Sequence, residues 1–400
     1  MKAVILAAGE GKRIRPLTYE RPKVMLPIAG KPILEHLVLE LKRAGITDFI
    51  FVVGYHDETI RDYFENGAAW DVEIQYVTQQ SQLGTADALR KAENLVDDTF
   101  LMLNGDTIVN VADIKRVLTG EQLTLGVIKV SNAEEYGVVE TDGEKILRIH
   151  EKMREPPSNL INAGVYLLDR NIFNALSKTA KSKRGEFELT DSLQLLIDEG
   201  TSIFWTMIEH WIDVSYPWDL LAANEQLIKQ VTADNRAECE ESVRIRGEVS
   251  IGKGTVVKSG SYIEGPVVIG ENCKIGPNSY IRPNTAVGDN CHIGNAVELK
   301  GSIIMDDTKI PHLSYVGDSV VGCQCNLGAG TKIANLRFDN AHVMAKGLDT
   351  GRRKFGAIIG DGVRTGINAS IDSGAIIGNN TLIGPGAFAS GHIERYTRVF

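Results

Sequence analysis

Aliphatic residues recur at every sixth position between Ile245 and Leu299: Ile245, Ile251, Val257, Ile263, Ile269, Ile275, Ile281, Val287, Ile293 and Leu299. Glycine follows directly at positions 252, 270, 276, 288 and 294. A helix repeats every 3.6 residues and a strand every 2, so a period of six marks a repeat architecture. Six residues can form one short strand and one tight turn. The aliphatic side chain points inward, and glycine tolerates turn angles that other residues resist. Three such units close a three-sided coil of roughly 18 residues. Successive coils stack as parallel strands about 4.8 Å apart. The pattern predicts a prism that loses phase at Pro311 and resumes near Val321-Gly322 and Leu327-Gly328. A loop runs from about Arg337 to Phe355, and the pattern returns at Ile359-Gly360, Ile371, Ile377-Gly378 and Ile383-Gly384.

Before residue 230 the pattern is different. Apolar runs at 2–7, 48–53, 72–77, 100–103 and 123–130 read as buried strands. Helical patterning falls at 32–43, 58–65, 85–94 and 110–118. Strands alternating with helices predict a Rossmann-like α/β domain with a mostly parallel sheet covered on both faces. Residues 137–168 read as more antiparallel, and a helix from Tyr216 to about Gln230 ends this part. The polar stretch 231–243 has no apolar period. It reads as a linker between a domain at 1–230 and the repeat domain at 244–400.

Bulk properties narrow the classes. Four hundred residues exceed one comfortable core. A net charge of −9 argues against a general nucleic-acid binder. No apolar run reaches membrane-spanning length, and Met1 leads straight into a strand without a signal-peptide pattern. The five cysteines, 239, 273, 291, 323 and 325, make no CxxC pair and no Cys/His zinc spacing. Cys273 and Cys291 each stand two before an inward Ile, so they should stack in one column as small fillers. A reducing cytoplasm fits them best.

Leu6-Ala7-Ala8-Gly9-Glu10-Gly11-Lys12-Arg13 ends the first strand. Glycines at such an edge let backbone N–H groups approach phosphates. Ile14 stands where the dinucleotide fingerprint would place its third glycine. With Arg13 and Arg21-Pro22-Lys23, the stretch resembles the signature of the sugar nucleotidyltransferases. The later motifs of that family follow in order: Gln79 before Gly84-Thr85, Asn104-Gly105-Asp106, Tyr136-Gly137, Glu151-Lys152, Asn162-Ala163-Gly164 and Trp211-Ile212-Asp213.

The resemblance implies nucleotide contacts at Leu6, Ala8, Gly9, Gln79, Gly84 and Thr85, with Gln79 reading the pyrimidine edge. It implies sugar contacts at Gly137, Glu151, Lys152 and Asn162, and Mg²⁺ ligation by Asp106 and Asp213. Met153 stands where many relatives have proline after the lysine, which should alter the loop and leave the contacts in place. In nucleotidyl transfer a sugar 1-phosphate oxygen attacks the α-phosphorus of a nucleoside triphosphate. The attacker is already an anion, so no general base is required. Charge must be offset and the reactants aligned. Two carboxylates suit a hard ion such as Mg²⁺. Arg13 and Lys23 would bind the triphosphate and Lys152 the sugar phosphate.

The repeat resembles the left-handed parallel β-helix of hexapeptide-repeat acyltransferases. Arg282, Lys300, His312, Tyr315, Asn326, Gly328-Ala329-Gly330, Asn335 and Lys354 resemble the acetyltransferase half of the bacterial bifunctional N-acetylglucosamine-1-phosphate uridyltransferases. The implied reaction moves acetyl from acetyl-CoA to the 2-amino group of glucosamine 1-phosphate. An ammonium cannot attack a thioester. His312, whose residue type titrates near neutral pH, is the candidate base. Arg282 and Lys300 would hold the phosphate. Tyr315, Asn326 and Asn335 would orient the sugar, and Ala329 and Lys354 would meet the coenzyme. The bacterial enzymes carry more tail beyond the position of Ile383-Gly384, which helps bind the coenzyme, so the resemblance carries no coenzyme contact onto this chain past that position. The resemblance further implies a homotrimer through the β-helix.

The leading expectation is therefore a bifunctional enzyme of UDP-N-acetylglucosamine synthesis. It would use Mg²⁺, acetyl-CoA, UTP or dTTP, and hexose or amino-sugar 1-phosphates. One alternative is a single-activity glucose-1-phosphate thymidylyl- or uridylyltransferase with a structural β-helix. Another is a non-catalytic scaffold resembling translation-initiation exchange-factor subunits. The intact His312/Tyr315/Asn326 set speaks against the first, and Lys23, Asp106 and Asp213 against the second.

Overall fold

The structure is a computed structural model that describes residues 1–120, 123–151 and 153–400. The chain divides into two compact units. The first holds Met1–Glu10, Arg21–Met25 and Ile33–Asp213; the second holds Gly11–Glu20, Leu26–Pro32 and Val214–Phe400. Residues 11–20, 26–32 and 214–230 thus cluster with the prism, although they precede the polar stretch.

The first unit is built on a nine-stranded mixed sheet. Its strand order is Glu73–Thr78, Asp48–Val53, Lys2–Ala7, Thr99–Asn104, Leu160–Asp169, Thr124–Lys129, Phe204–Met207, Lys145–Glu151 and Gly137–Asp142. The first four strands run parallel. Leu160–Asp169 then pairs antiparallel on both sides. Val4, Ile5, Phe51, Val52 and Met102 are fully buried, as expected of central strands covered on both faces. The expected helices form at Ile33–Arg43, Asp57–Phe64, Thr85–Arg90 and Val111–Leu118. Two further helices, Ile172–Lys178 and Leu189–Asp198, cover the antiparallel half.

In the second unit three sheets of nine, nine and eight short parallel strands form the prism. One inward column reads Ile251, Ile269, Val287, Ile304, Val321, Ile359 and Ile377, all within 1% of full burial. Burying such apolar side chains contributes about 1.5–3 kcal/mol each, which explains why the repeat keeps one aliphatic residue in six. Left-handed backbone recurs at the corners, at Asn272, Asn278, Asn284 and Asn290 among others. Asparagine tolerates that conformation better than most residues.

Two expectations need correcting. The phase does not break at Pro311: Ile310 and Val316 are both fully buried and keep the six-residue step. The slips lie at Leu299 to Ile304 and Val316 to Val321, each five residues, at corners where Gly301 and Asp318 have φ of 52° and 50°. Nor is 231–243 wholly outside the repeat. Asp234-Asn235 and Glu238-Cys239 pair in parallel with Ser250-Ile251 and Val256-Val257 as first rungs. Their side chains are exposed, so no apolar period betrays them.

The cysteine column forms as expected. Cys273 lies one coil before Cys291, and Thr255, Thr308 and Cys325 belong to the same series. Each donates to a neighbouring-coil carbonyl: Thr255 to Gly270, Cys273 to Gly288, Cys291 to Met305, Thr308 to Gly322 and Cys325 to Gly360. Small side chains that can donate are what this column requires. Beside the prism, helix Asp219–Leu227 carries the buried Asn224. Its amide accepts from Ala29 N and donates to Asn284 O, both at 2.8 Å.

Candidate functional sites

In the first unit, strand Thr99–Asn104 ends at Gly105-Asp106. An added Cβ on Gly105 would stand 2.8 Å from the Leu6 carbonyl, which accepts the Gly105 N–H at 2.8 Å. The chain then turns into Ile108–Val109, which pairs antiparallel with Trp211–Ile212. That register sets Ile212 opposite Ile108, so Asp213 arrives beside Asp106. Lys23, 8% exposed, stands between them. Its ammonium lies 2.7 Å from Asp106 Oδ2 and 3.6 Å from Asp213 Oδ1. The two oxygens are no farther apart than the sum of those distances. Tyr136 donates its hydroxyl to Asp213 Oδ2 at 3.3 Å. Two hard carboxylates already facing one cation fit the donor set of Mg²⁺.

A second cluster stands on the antiparallel half of the sheet. Gly137 is the register partner of Glu151. An added Cβ there would come within 3.2 Å of Glu151 Oε2 and 3.9 Å of Asn162 Cβ. Thr190 donates to Glu151 at 3.2 Å, and the Arg184 guanidinium lies 3.6 Å away. The Asn162 amide oxygen accepts from Gly164 N at 3.0 Å. Thus Gly137, Glu151 and Asn162 come together. Lys152 lies outside the described residues.

The residues expected to contact nucleotide, Gln79, Gly84 and Thr85, are held by bonds within the protein. Gln79 is 3% exposed, and its amide donates to Gly84 O (3.1 Å) and Asp87 Oδ2 (2.9 Å). Gly84 has φ of 110°, and an added Cβ would stand 2.4 Å from the Phe187 carbonyl. This glycine therefore has a close backbone approach within the protein. Thr85 Oγ1 accepts from Leu189 N at 3.0 Å, satisfying a first-turn N–H of helix Leu189–Asp198. By contrast, an added Cβ at Gly9 would meet nothing within 4 Å. Ala8 is buried, and its carbonyl accepts from Tyr55 N at 3.2 Å. Arg13 clusters with the second unit, its guanidinium 5.6 Å from the centroid of the Tyr216 ring, which stacks on Trp218.

On the prism, one face carries a polar column: Tyr280 pairs with Glu298, Glu298 with Tyr315, and Tyr315 with Lys332. Arg282 Nη1 donates to Glu298 Oε1 at 2.9 Å, and its guanidinium lies 5.6 Å from the Tyr280 ring centroid. Lys300 Nζ reaches both oxygens of Asp318, at 3.0 and 2.7 Å. Asn335 Nδ2 donates to Asp318 Oδ2 (2.5 Å) and the Tyr315 hydroxyl (3.1 Å). Burial, with the nearby Asp318 charge, raises the Tyr315 phenol above its usual range and keeps it protonated.

Four of the expected residues, Arg282, Lys300, Tyr315 and Asn335, therefore share one face. His312 ends the strand Lys309–His312 on the adjacent sheet, exposed, across the corner from Tyr315. Its carbonyl accepts from Gly330 N at 3.1 Å, which sets Ala329-Gly330 beside it on the next coil. Asn326 is exposed at the start of the next strand of that sheet, opposite Lys309 and three positions from His312 in register. Lys354 is exposed and bridges Leu336 at the base of the loop.

Sequence reading missed Glu298 and Asp318. The 18-residue coil offset from Tyr280 would have found Glu298, and the same offset from Lys300 would have found Asp318.

The chain matches the Nucleotidyl transferase family over residues 2–230, the GMPPB C-terminal domain over 263–367 and six repeats of the bacterial transferase hexapeptide over 356–390. It is 47% identical to the Bifunctional protein GlmU of Methanococcus maripaludis, over 100% of this chain and 97% of that protein. It is 43% identical to the bifunctional sugar-1-phosphate nucleotidylyltransferase/acetyltransferase of Sulfurisphaera tokodaii, over 97% and 96%. A crystal structure of UDP-glucose pyrophosphorylase complexed with UDP-glucose superposes with a TM-score of 0.52 at 25% identity, covering 57% of this chain and 98% of that one. With a nucleotidyl transferase domain leading into a left-handed β-helix of hexapeptide repeats, and with relatives matched end to end, this chain belongs to the family of bifunctional sugar-1-phosphate nucleotidylyltransferase/acetyltransferases.

Proposed function

We propose that this enzyme makes UDP-N-acetylglucosamine in two consecutive steps. The prism first transfers acetyl from acetyl-CoA to the 2-amino group of glucosamine 1-phosphate. The α/β unit then transfers uridylyl from UTP to the acetylated sugar phosphate and releases pyrophosphate. The observation that carries this reading is the presence of two separate charged constellations in one chain: Lys23 with Asp106 and Asp213, and Arg282 with Lys300, Tyr315 and Asn335.

In the acetyl step, the exposed His312 imidazole takes a proton from the sugar ammonium, the freed amine attacks the thioester carbonyl, and the C–S bond breaks to release coenzyme A as its thiol as the amide forms. Arg282 and Lys300 offset the sugar phosphate charge. Tyr315 and Asn335 orient the ring, and Ala329 and Lys354 meet the coenzyme. In the uridylyl step, Lys23 neutralises the triphosphate, while Gly137, Glu151 and Asn162 hold the sugar. Mg²⁺, held by Asp106 and Asp213, would neutralise charge on the transferred phosphoryl group. The family association into trimers through the prism is part of the proposal.

The test is direct. Purified protein is incubated with acetyl-CoA, UTP, Mg²⁺ and glucosamine 1-phosphate, and the products are read by mass. The proposal requires N-acetylglucosamine 1-phosphate and then its UDP conjugate. Formation of only a non-acetylated UDP- or dTDP-hexose from hexose 1-phosphate would select the single-activity alternative. No sugar nucleotide under any pairing would exclude both.

A further inference from the structure

We propose that Asp318 is the positioning residue of the acetyl-acceptor site, and that it sets the direction of a hydrogen-bond chain ending in an outward-donating Tyr315 hydroxyl. The inference rests on the proposed acetyl transfer and assigns a residue that reading does not use.

Asp318 sits at a five-residue corner with φ of 50° and is 6% exposed. Its backbone N–H bonds Lys300 O at 2.7 Å, and its carbonyl accepts from Gly356 N at 2.8 Å. The side chain is thereby fixed between two coils. A buried carboxylate only accepts, and it demands donors. Lys300 supplies two contacts, at 3.0 and 2.7 Å, and Asn335 supplies one at 2.5 Å.

That last contact determines the orientation of Asn335. An amide oxygen that close to a carboxylate would be repelled, so the NH₂ must face Asp318. The same nitrogen is 3.1 Å from the Tyr315 hydroxyl oxygen. Both amide hydrogens are then used, one on Asp318 and one on Tyr315. Tyr315 oxygen accepts, so its own proton is turned away from Asn335 and is available to a ligand. The chain Asp318–Asn335–Tyr315 has one allowed direction. Both groups pack over Gly317, where an added Cβ would lie 2.5 Å from Tyr315 Oη and 2.7 Å from Asn335 Nδ2. Orienting groups before binding reduces the entropy lost on binding.

The experiment compares Asp318→Asn with the wild type in acetyl transfer, varying glucosamine 1-phosphate and acetyl-CoA separately. Charge alone makes a clear opposite prediction. Removing a negative group beside a phosphate site should lower KM for the sugar phosphate. The positioning role predicts a rise of about tenfold or more with KM for acetyl-CoA unchanged. It also predicts that Asp318→Asn added to Tyr315→Phe raises KM by less than the product of the two single effects. An unchanged KM for acetyl-CoA, together with a wild-type urea unfolding profile, reports that the prism is folded. Asn335→Ser, which cuts the chain and leaves the Lys300 pair, should give the same selective rise and serves if Asp318→Asn does not fold. An unchanged or lowered KM in the folded variant, or full multiplicativity with Tyr315→Phe, overturns the role of Asp318. Wild-type protein that acetylates no amino-sugar 1-phosphate overturns the underlying reading instead.

Discussion

The Lys23 ammonium donates to Asp106 Oδ2 at 2.7 Å. This contact, with Asp213 Oδ1 3.6 Å away, gathers one positive and two negative groups at the end of strand Thr99–Asn104. Asp106→Asn keeps the shape and removes one charge. Uridylyl transfer should fall by at least about a hundredfold, the scale of losing one preorganised charge-stabilising group. Acetyl transfer by the same preparation should stay near the wild-type rate. Chelation by EDTA should stop the first activity and spare the second. Uridylyl transfer that persists without divalent metal would exclude the proposed metal role of both carboxylates.

Gly84 tests scaffolding against ligand contact. Its φ of 110° disfavours any side chain, and a Cβ would meet the Phe187 carbonyl at 2.4 Å. Gly84→Ala should therefore cost stability of about 1–3 kcal/mol and loosen the pairing of 83–86 with 187–189. Chemical denaturation reads the first effect. Hydrogen exchange at Ala86, whose N–H bonds Phe187 O at 2.9 Å, reads the second. Unchanged stability with weakened UTP binding would return this glycine to the nucleotide.

Much of this fold is legible in the sequence. The six-residue period named the prism because a buried column needs one aliphatic side chain per short strand, a spacing that neither a helix nor an extended strand produces. The nucleotidyltransferase motifs located Lys23, Asp106 and Asp213, which do converge. Two kinds of information were not legible. The first rungs at 234–239 carry exposed side chains, so their membership in the prism rests on backbone pairing alone. The inward roles of Gln79 and Thr85 depend on Asp87 and Leu189, the latter 104 residues along from Thr85. Local pattern cannot announce such partners. Asp318 is hidden for another reason: its partners Lys300 and Asn335 lie 18 and 17 residues away, and only the coil stacking sets them against it.

His312→Ala separates the two activities in the opposite direction to Asp106→Asn. General-base removal typically costs about 10²–10⁴-fold. Acetyl transfer should fall on that scale while uridylyl transfer from preformed N-acetylglucosamine 1-phosphate continues. If either single variant removed both activities from a folded protein, the two-site reading would be wrong.

His292 gives the prism a pH dependence of definite sign. Its ring is half-buried, and burial lowers its pKa below 6.5, helped by Lys274 on the preceding coil and by His312, Lys258 and Lys309. The unfolded chain then binds the proton more readily than the native state, so the native state loses stability as pH falls through about 6.5. Above that range the contribution is fully present. His392 is shifted in the same direction, again chiefly by burial, with Lys346 adding to it and Glu394 opposing. Urea midpoints should therefore drop between pH 7.5 and 5.5, before the carboxylates begin to protonate. His292→Asn should shrink that drop, and adding His392→Asn should shrink it further. A drop of the same size in the double variant would assign the acid sensitivity to other groups.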